Sequence, residues 1–288
     1  MTNNRNIRAK KAQETLDIIE KGAYSVSDHE IRLQDSIKLS VEATVLYTPE
    51  FFEGITSDVD RLIQEKEYQT IVEVRNCTSM EAAEELIKTG GKIACLNFAS
   101  AKNPGGGFLS GSQAQEESLT RASTLYPTLM KYFAEMYEYN RSQHTYLYSD
   151  YMIYSPDVIF FKDDNDLLLK HPYKMDILTS PAVNVGAMMQ HKRFDELEKS
   201  ESVMVERIDK ILSLFLLQGA DKLILGAWGC GVFRNDAKDV ARYFAHYLTR
   251  SGKYASAFRH IVFAVFDQSK AAENIRAFED VFNQKSTR

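Results

Sequence analysis

IVEVRNCT around Ile71, SMEAAEELIKTGG and KIACLNFA from Lys92 follow one another as a strand pattern, a helix pattern and a strand pattern, and this succession constrains the fold more than any other feature of the chain. A helical crossover returns the chain to the end of the sheet it left, so the two strands run parallel. Thr78 and Glu81 have the spacing of a capping box that opens the helix, and Gly90 stops it. The alternation recurs downstream. MDILTSPAV near Ile177, KLILGAWG near Ile224 and HIVFAVF near Val262 are strand-length apolar runs, separated by the helix patterns ESVMVERIDKILSLFLLQG, NDAKDVARYFAHYLT and AAENIRAFEDVF. An α/β fold with both sheet faces covered is the prediction.

Other segments modify this plan. Ile7, Ala12, Leu16, Ile19 and Ala23 follow helical spacing with Gly22 as the stop, giving a first helix that caps the domain. YMIYSPDVIFF from Tyr151 is rich in β-formers but carries Pro156, which predicts two short strands or a hairpin. The charged run KDDNDLLLKHPYK predicts a solvated loop. With no repeat, low-complexity tract or linker, the chain reads as one domain, residues 1–70 forming an N-terminal extension packed on a core of 71–288.

Composition excludes several functions. A net charge of −5 and a pI near 5.8 give no broad attraction to nucleic acid or an anionic membrane, so direct DNA binding is not expected and any phosphate recognition has to be local. The three cysteines, Cys77, Cys95 and Cys230, are odd in number and lack C-x-x-C spacing, which argues against a disulfide framework and a structural zinc. The six histidines have no paired spacing, and His191, His246 and His260 read as surface or core residues. Neither a metal nor a cofactor is expected. The basic N-terminus lacks the apolar segment of a signal peptide and no apolar run reaches membrane-spanning length, so the expected location is a reducing cytoplasm.

In an open α/β sheet, ligands bind beyond the carboxyl ends of the strands. There, after IACLNF, stands NPGGGFLSGSQAQEES. Gly105, Gly106 and Gly107 allow positive φ and close approach of a ligand to the backbone, although a plain flexible turn has the same composition. Ser112 and Gln115 have capping-box spacing for the helix QEESLTRASTLY, which should stop before Pro127. Glu116 and Glu117 then lie in its first turn, where carboxylates also serve simply to stabilise the helix. Helix neighbours point about 100° apart, so the two cannot face each other across a bond; if they catalyse, one does most of the work.

GAWGCGVFRND, at the end of another strand, carries Gly226, Gly229 and Gly231 and leads into a helix after Asn235 or Asp236. Backbone N–H groups aimed by a helix start suit a diphosphate and need no net positive charge. The spacing is neither a Walker A loop nor the dinucleotide fingerprint. Phe233 could stack on a ribose or base, or plug the underside of the loop. Cys230 is a conceivable reactive thiol, but no His or Asn partner supports it.

A GGG run, seven residues and then QEE resembles the signature of the poly(ADP-ribose) glycohydrolases. ETLDIIEKGAY, NFAS, TSPAVN from Thr179 to Asn184 and GAWGCGVFRN are similar to the bacterial-type branch. The resemblance implies a three-layer α/β/α macrodomain-like fold with a mixed sheet, no catalytic metal, and cleavage of ribose–ribose O-glycosidic bonds in poly(ADP-ribose). It implies Glu117 as the acid/base, with Glu116 and Asn97 holding the terminal ribose. Gly105 to Gly107 would wrap the ribose and diphosphate, with Gln115 beside them. Gly229, Cys230, Gly231, Val232 and Phe233 would form the diphosphate loop, its phenylalanine shielding the reacting sugar. Val183 stands where close relatives are expected to carry proline. The implied partners are ADP-ribose, its polymer and ADP-ribosylated proteins. A mono-ADP-ribosyl hydrolase, a non-catalytic ADP-ribose reader and an α/β enzyme for another nucleotide are the competing readings.

Overall fold

The computed structural model describes residues 2–249 and 251–283. Its strands are β1 (Ala23–Val26), β2 (His29–Arg32), β3 (Val45–Tyr47), β4 (Ile71–Arg75), β5 (Ile93–Phe98), β6 (Met152–Lys162), β7 (Leu168–Ser180), β8 (Lys222–Leu225) and β9 (His260–Ala264). β1 and β2 form a small hairpin sheet, and the other seven form one mixed sheet in the order β3-β6-β7-β5-β8-β9-β4, with helices flanking it. Among the described residues, no helix is long and apolar enough to cross a membrane.

Two compact units share the chain. The first gathers Met1–Tyr47, Asn97–Gln143 and Tyr151–Ser180. Its strands pair antiparallel, Val45 opposite Tyr154 and Tyr154 opposite Leu178. The two strands or hairpin expected around Pro156 are instead the single strand β6. A bulge between Ser155 and Val158 lets the sheet accept a residue that has no N–H to give. The Pro156 carbonyl accepts the Ser40 hydroxyl at 2.5 Å, and Asp157 adopts φ 52° with its N–H on Asp176 Oδ1 at 2.9 Å. The expected solvated loop KDDNDLLLKHPYK is also corrected. Only its start is a turn, where Asp163 Oδ1 accepts the Asn165 and Leu167 amides (2.9 and 2.8 Å), and β7 begins at Leu168.

The first helix, Thr2–Lys21, stops at Gly22 (φ 70°) as its spacing predicts. It covers Lys162, which is fully buried and donates to Lys11 O at 3.0 Å and Thr15 Oγ1 at 2.9 Å. The QEE helix is shorter than expected, running Gln115–Ala122, and a second helix, Leu125–Met130, contains Pro127. Proline is tolerated there because a first-turn N–H has no helical acceptor to lose.

The second unit gathers Thr48–Leu96, His144–Asp150 and Pro181–Arg288. Here the strands are parallel, with Cys95 opposite Ile224, Ile224 opposite Val262 and Val262 opposite Glu73. The Thr78–Glu81 capping box is formed, with bonds of 3.0 and 2.8 Å, and opens the helix Ser79–Ile87. Asp236 caps the helix Ala237–Leu248 through Lys238 N–H at 2.7 Å, at one of the two positions expected. Leu223, Ile224, Leu225, Phe244, Phe263 and Phe278 are completely buried. Each such side chain contributes about 1.5–3 kcal/mol of hydrophobic stabilisation.

Candidate active site

In the first unit, β5 ends in Asn97 and Phe98, and the chain reaches the helix Gln115–Ala122 through the triple-glycine turn. The expected capping box of Ser112 and Gln115 is absent; the helix is capped at Ala114 without a side-chain bond. Gln115 Oε1 instead accepts the Phe98 amide at 2.9 Å, which ties the helix start to the strand end. Next to that tie, Asn97 is fully buried. Its Nδ2 donates to Glu116 Oε1 (3.3 Å) and Thr179 Oγ1 (3.2 Å), while Oδ1 has no hydrogen-bond partner among the described residues.

The two glutamates are not equivalent. Glu116 is 3% exposed and accepts the Ser100 amide on Oε2 at 2.7 Å. Burial pushes its carboxyl up to about 8; the Ser100 amide opposes this and the Glu117 charge adds to it. Burial therefore favours the protonated form of Glu116. Glu117 is half-buried and accepts the Gly107 amide on Oε1 at 2.9 Å. Both carboxyls lie against Gly106, which has φ 61°. A Cβ there would stand 2.5 Å from Glu117 Oε1 and 3.1 Å from Glu116 Oε2, so any side chain at this left-handed position would displace the two carboxyls.

The second unit holds the other candidate turn. Gly229 has φ 78°, and a Cβ would meet the Ala182 Cβ at 2.5 Å and Asn235 Nδ2 at 2.6 Å. Asn235 closes the turn by donating to Val183 O (2.9 Å) and Gly229 O (3.0 Å). A Cβ at Gly231 would meet nothing within 4 Å, and Val232 is 84% exposed. The Phe233 ring lies 5.8 Å from that of Tyr148, and its carbonyl accepts the Gly186 amide at 2.9 Å. Burial pushes the Cys230 thiol up to about 12, so it holds no thiolate near neutrality and the nucleophile reading falls.

The structure thus brings Asn97, Gly105–Gly107 and the QEE residues together in one unit and places Gly229–Phe233 in the other. TSPAVN divides its labour: Thr179 accepts from Asn97, and Asn184 caps the helix Val185–Gln190 through Ala187 N–H at 2.9 Å. Ser100, Thr179, Asn235 and Tyr148 were given no role by the sequence. The first three lie inside or beside the quoted motifs, whereas nothing in the sequence around Tyr148 signals it. Among the described residues, no group of three or more His, Cys, Asp or Glu could hold a metal ion.

A mixed seven-stranded α/β/α sheet, with one strand end closing a glycine turn over paired carboxyls, defines a macrodomain-like protein equipped for acid–base chemistry. The model of the microbial-type PARG catalytic domain matches residues 12–163. The solved poly(ADP-ribose) glycohydrolase (PARG) of Thermomonospora curvata is 39% identical, with a TM-score of 0.88 over 96% of this chain and 100% of that one. The same enzyme bound to the inhibitor ADP-HPD gives 40% and 0.86 over the same shares. Deinococcus radiodurans PARG in complex with ADP-ribose is 39% identical, with a TM-score of 0.79 over 88% of this chain and 98% of that one. The comparison with curated proteins gave no match. The chain belongs to the microbial-type poly(ADP-ribose) glycohydrolase family.

Proposed function

We propose that this protein hydrolyses the ribose–ribose O-glycosidic bonds of poly(ADP-ribose) and releases ADP-ribose, with Glu117 as its acid/base. The observation that carries the assignment within the pair is exposure: the Glu117 carboxyl is half-buried and held by the Gly107 amide, whereas Glu116 is 3% exposed. Protonated once the bound ribose covers it, Glu117 gives its proton to the bridging oxygen as the C1–O bond breaks, which leaves an oxocarbenium ion facing a carboxylate. The same carboxylate then takes a proton from the attacking water, so the acid is restored and one water is consumed per bond.

Glu116, held by Asn97 and Ser100, orients the terminal ribose. The orphaned Oδ1 of Asn97 suits a ribose hydroxyl. Gly105–Gly107 wrap the ribose and diphosphate, and Gln115 keeps the helix start on β5. Gly229, Cys230, Gly231, Val232 and Phe233, in the second unit, offer a diphosphate a turn of backbone amides. All these residues fall in the 71–288 segment, on which 1–70 packs as an extension. The substrates are polymer and ADP-ribosylated proteins in the cytoplasm.

Incubation with labelled polymer, resolving free ADP-ribose from longer fragments and from mono-ADP-ribosylated protein, tests the reading. ADP-ribose should accumulate, and ADP-ribose at about a hundred times its dissociation constant should stabilise the fold by roughly 2.7 kcal/mol. No release from polymer, with a melting shift on ATP or NAD but not on ADP-ribose, overturns it.

A further inference from the structure

Arg207, in the helix Phe194–Leu217, is 1% exposed, and its guanidinium is directed at loop backbone rather than at solvent. Nε donates to Asp150 Oδ1 at 2.6 Å, Nη1 to Leu147 O at 3.1 Å and Pro181 O at 3.0 Å, and Nη2 to Tyr148 O at 3.3 Å. Lys210, one turn further along the helix, pairs with the second Asp150 oxygen. Burial opposes ionisation of Asp150, but the two cations outweigh it and hold the carboxyl below its usual range. A buried ion pair of this kind adds little net stability over apolar packing, so its use lies in fixing a geometry.

That geometry belongs to the segments on which the turn Gly229–Phe233 rests. Tyr148 sits at φ 58°, a left-handed conformation unfavourable for a tyrosine, and it persists only if its surroundings impose it. Its ring faces Phe233 at 5.8 Å, and its hydroxyl accepts Asn184 Nδ2 at 3.3 Å. Pro181 leads into Ala182, which closes off Gly229, and into Val183, whose carbonyl holds Asn235. One guanidinium therefore grips both segments.

We infer that Arg207, itself fixed by Asp150, is a positioning residue for the Gly229–Phe233 turn, holding Tyr148 and Pro181 so that the turn keeps its binding form. The inference rests on the proposed role of that turn in binding ADP-ribose.

Arg207→Lys keeps the charge but loses the planar fork, and Asp150→Asn keeps the size but loses the charge. Amide exchange at 144–150 and 229–235 should quicken roughly tenfold in each free variant. Emission from Trp228, the single tryptophan, buried immediately before the turn, should change with it. With polymer, KM should rise roughly tenfold while kcat moves less than about threefold. Variants that merely melt lower, with exchange, emission and KM as in the wild type, overturn the inference and leave Arg207 a structural residue. If Arg207→Lys does not fold, Asp150→Asn decides by the same readouts. If the wild type binds no ADP-ribose, the parent reading fails, and the inference stands or falls on exchange and emission in the free protein.

Discussion

The two glycine turns occupy comparable places, each between the end of a strand and the start of a helix, yet they are stabilised differently. At Gly105–Gly107 the turn is occupied from within: the Gly107 amide is bound by Glu117, and both carboxyls crowd Gly106. At Gly229–Phe233 the turn is held from behind, by Asn235, Ala182 and the Tyr148 segment, and its front stays open at Gly231 and Val232. The contrast shows that one kind of residue can sit in two kinds of packing. The turn proposed to support catalysis is packed against its own carboxyls, where a small displacement changes a proton's position. The turn proposed to bind the diphosphate leaves its outer residues unpacked, where a ligand would supply the missing contacts.

Four measurements break or sharpen this contrast. The largest effect is expected for Glu117→Gln, which retains size and hydrogen bonding but cannot transfer a proton. Turnover should fall by roughly 10² to 10⁴ while the ADP-ribose dissociation constant changes little. Single-turnover cleavage alongside calorimetric titration reads both, and near wild-type turnover in a folded Glu117→Gln would remove the mechanism.

Alanine replacements of the glycines should separate packed from open positions. Gly106→Ala and Gly229→Ala each put a Cβ within 2.6 Å of a neighbour at positive φ, and should cost about 1–3 kcal/mol in denaturant unfolding. Gly231→Ala meets no atom within 4 Å and should stay within about 0.5 kcal/mol, with its loss appearing only as weaker ADP-ribose binding. Equal destabilisation at all three positions would erase the distinction between the turns.

Glu116 supplies a smaller, pH-dependent effect. Its carboxyl is raised from 4.5 to about 8, so the folded state holds a proton that the unfolded chain releases. Its stabilising contribution is complete below about 4.5 and is lost as pH rises through about 8. Glu116→Gln should flatten the fall in melting temperature between pH 5 and 8. An unchanged slope would show that burial does not hold Glu116 neutral. The smallest effect, none, is expected from exhaustive EDTA treatment, and loss of turnover restored by Mg²⁺ would contradict a carboxylate mechanism.

Local rules read from the sequence held where the interaction is itself local. The Thr78–Glu81 capping box, the stop at Gly22 and the cap at Asp236 each involve residues a few positions apart, and each was legible. Ser112–Gln115 has the same spacing as the first of these but failed, because the Gln115 side chain had a distant alternative in the Phe98 amide. Pro156 misled in the same way: the bulge that accommodates it depends on Asp176 and Ser40, both remote in sequence. At the candidate site, the motif residues were legible only through the family resemblance, whereas helix geometry alone anticipated that the two glutamates are not equivalent. That the buried partner is Glu116 could not be anticipated, since it depends on how deeply Asn97 and Ser100 are set.

The first helix has a consequence for the order of events as the chain is made. Arg5 and Arg8 donate to Ser110 O and Gly111 O, both at 2.8 Å, across 105 and 103 residues, and Lys162 reaches back to Lys11 O across 151. The helix therefore leaves the ribosome long before its buried cation has been translated. Helices form in about a microsecond, whereas contacts so distant in sequence must wait for loop closure and raise the contact order of the fold. The stretch after the triple glycine acquires its lock on the N-terminal helix late, and a nascent chain halted before Lys162 should show the helix accessible to protease while the Thr78–Glu81 helix cap is already complete in sequence.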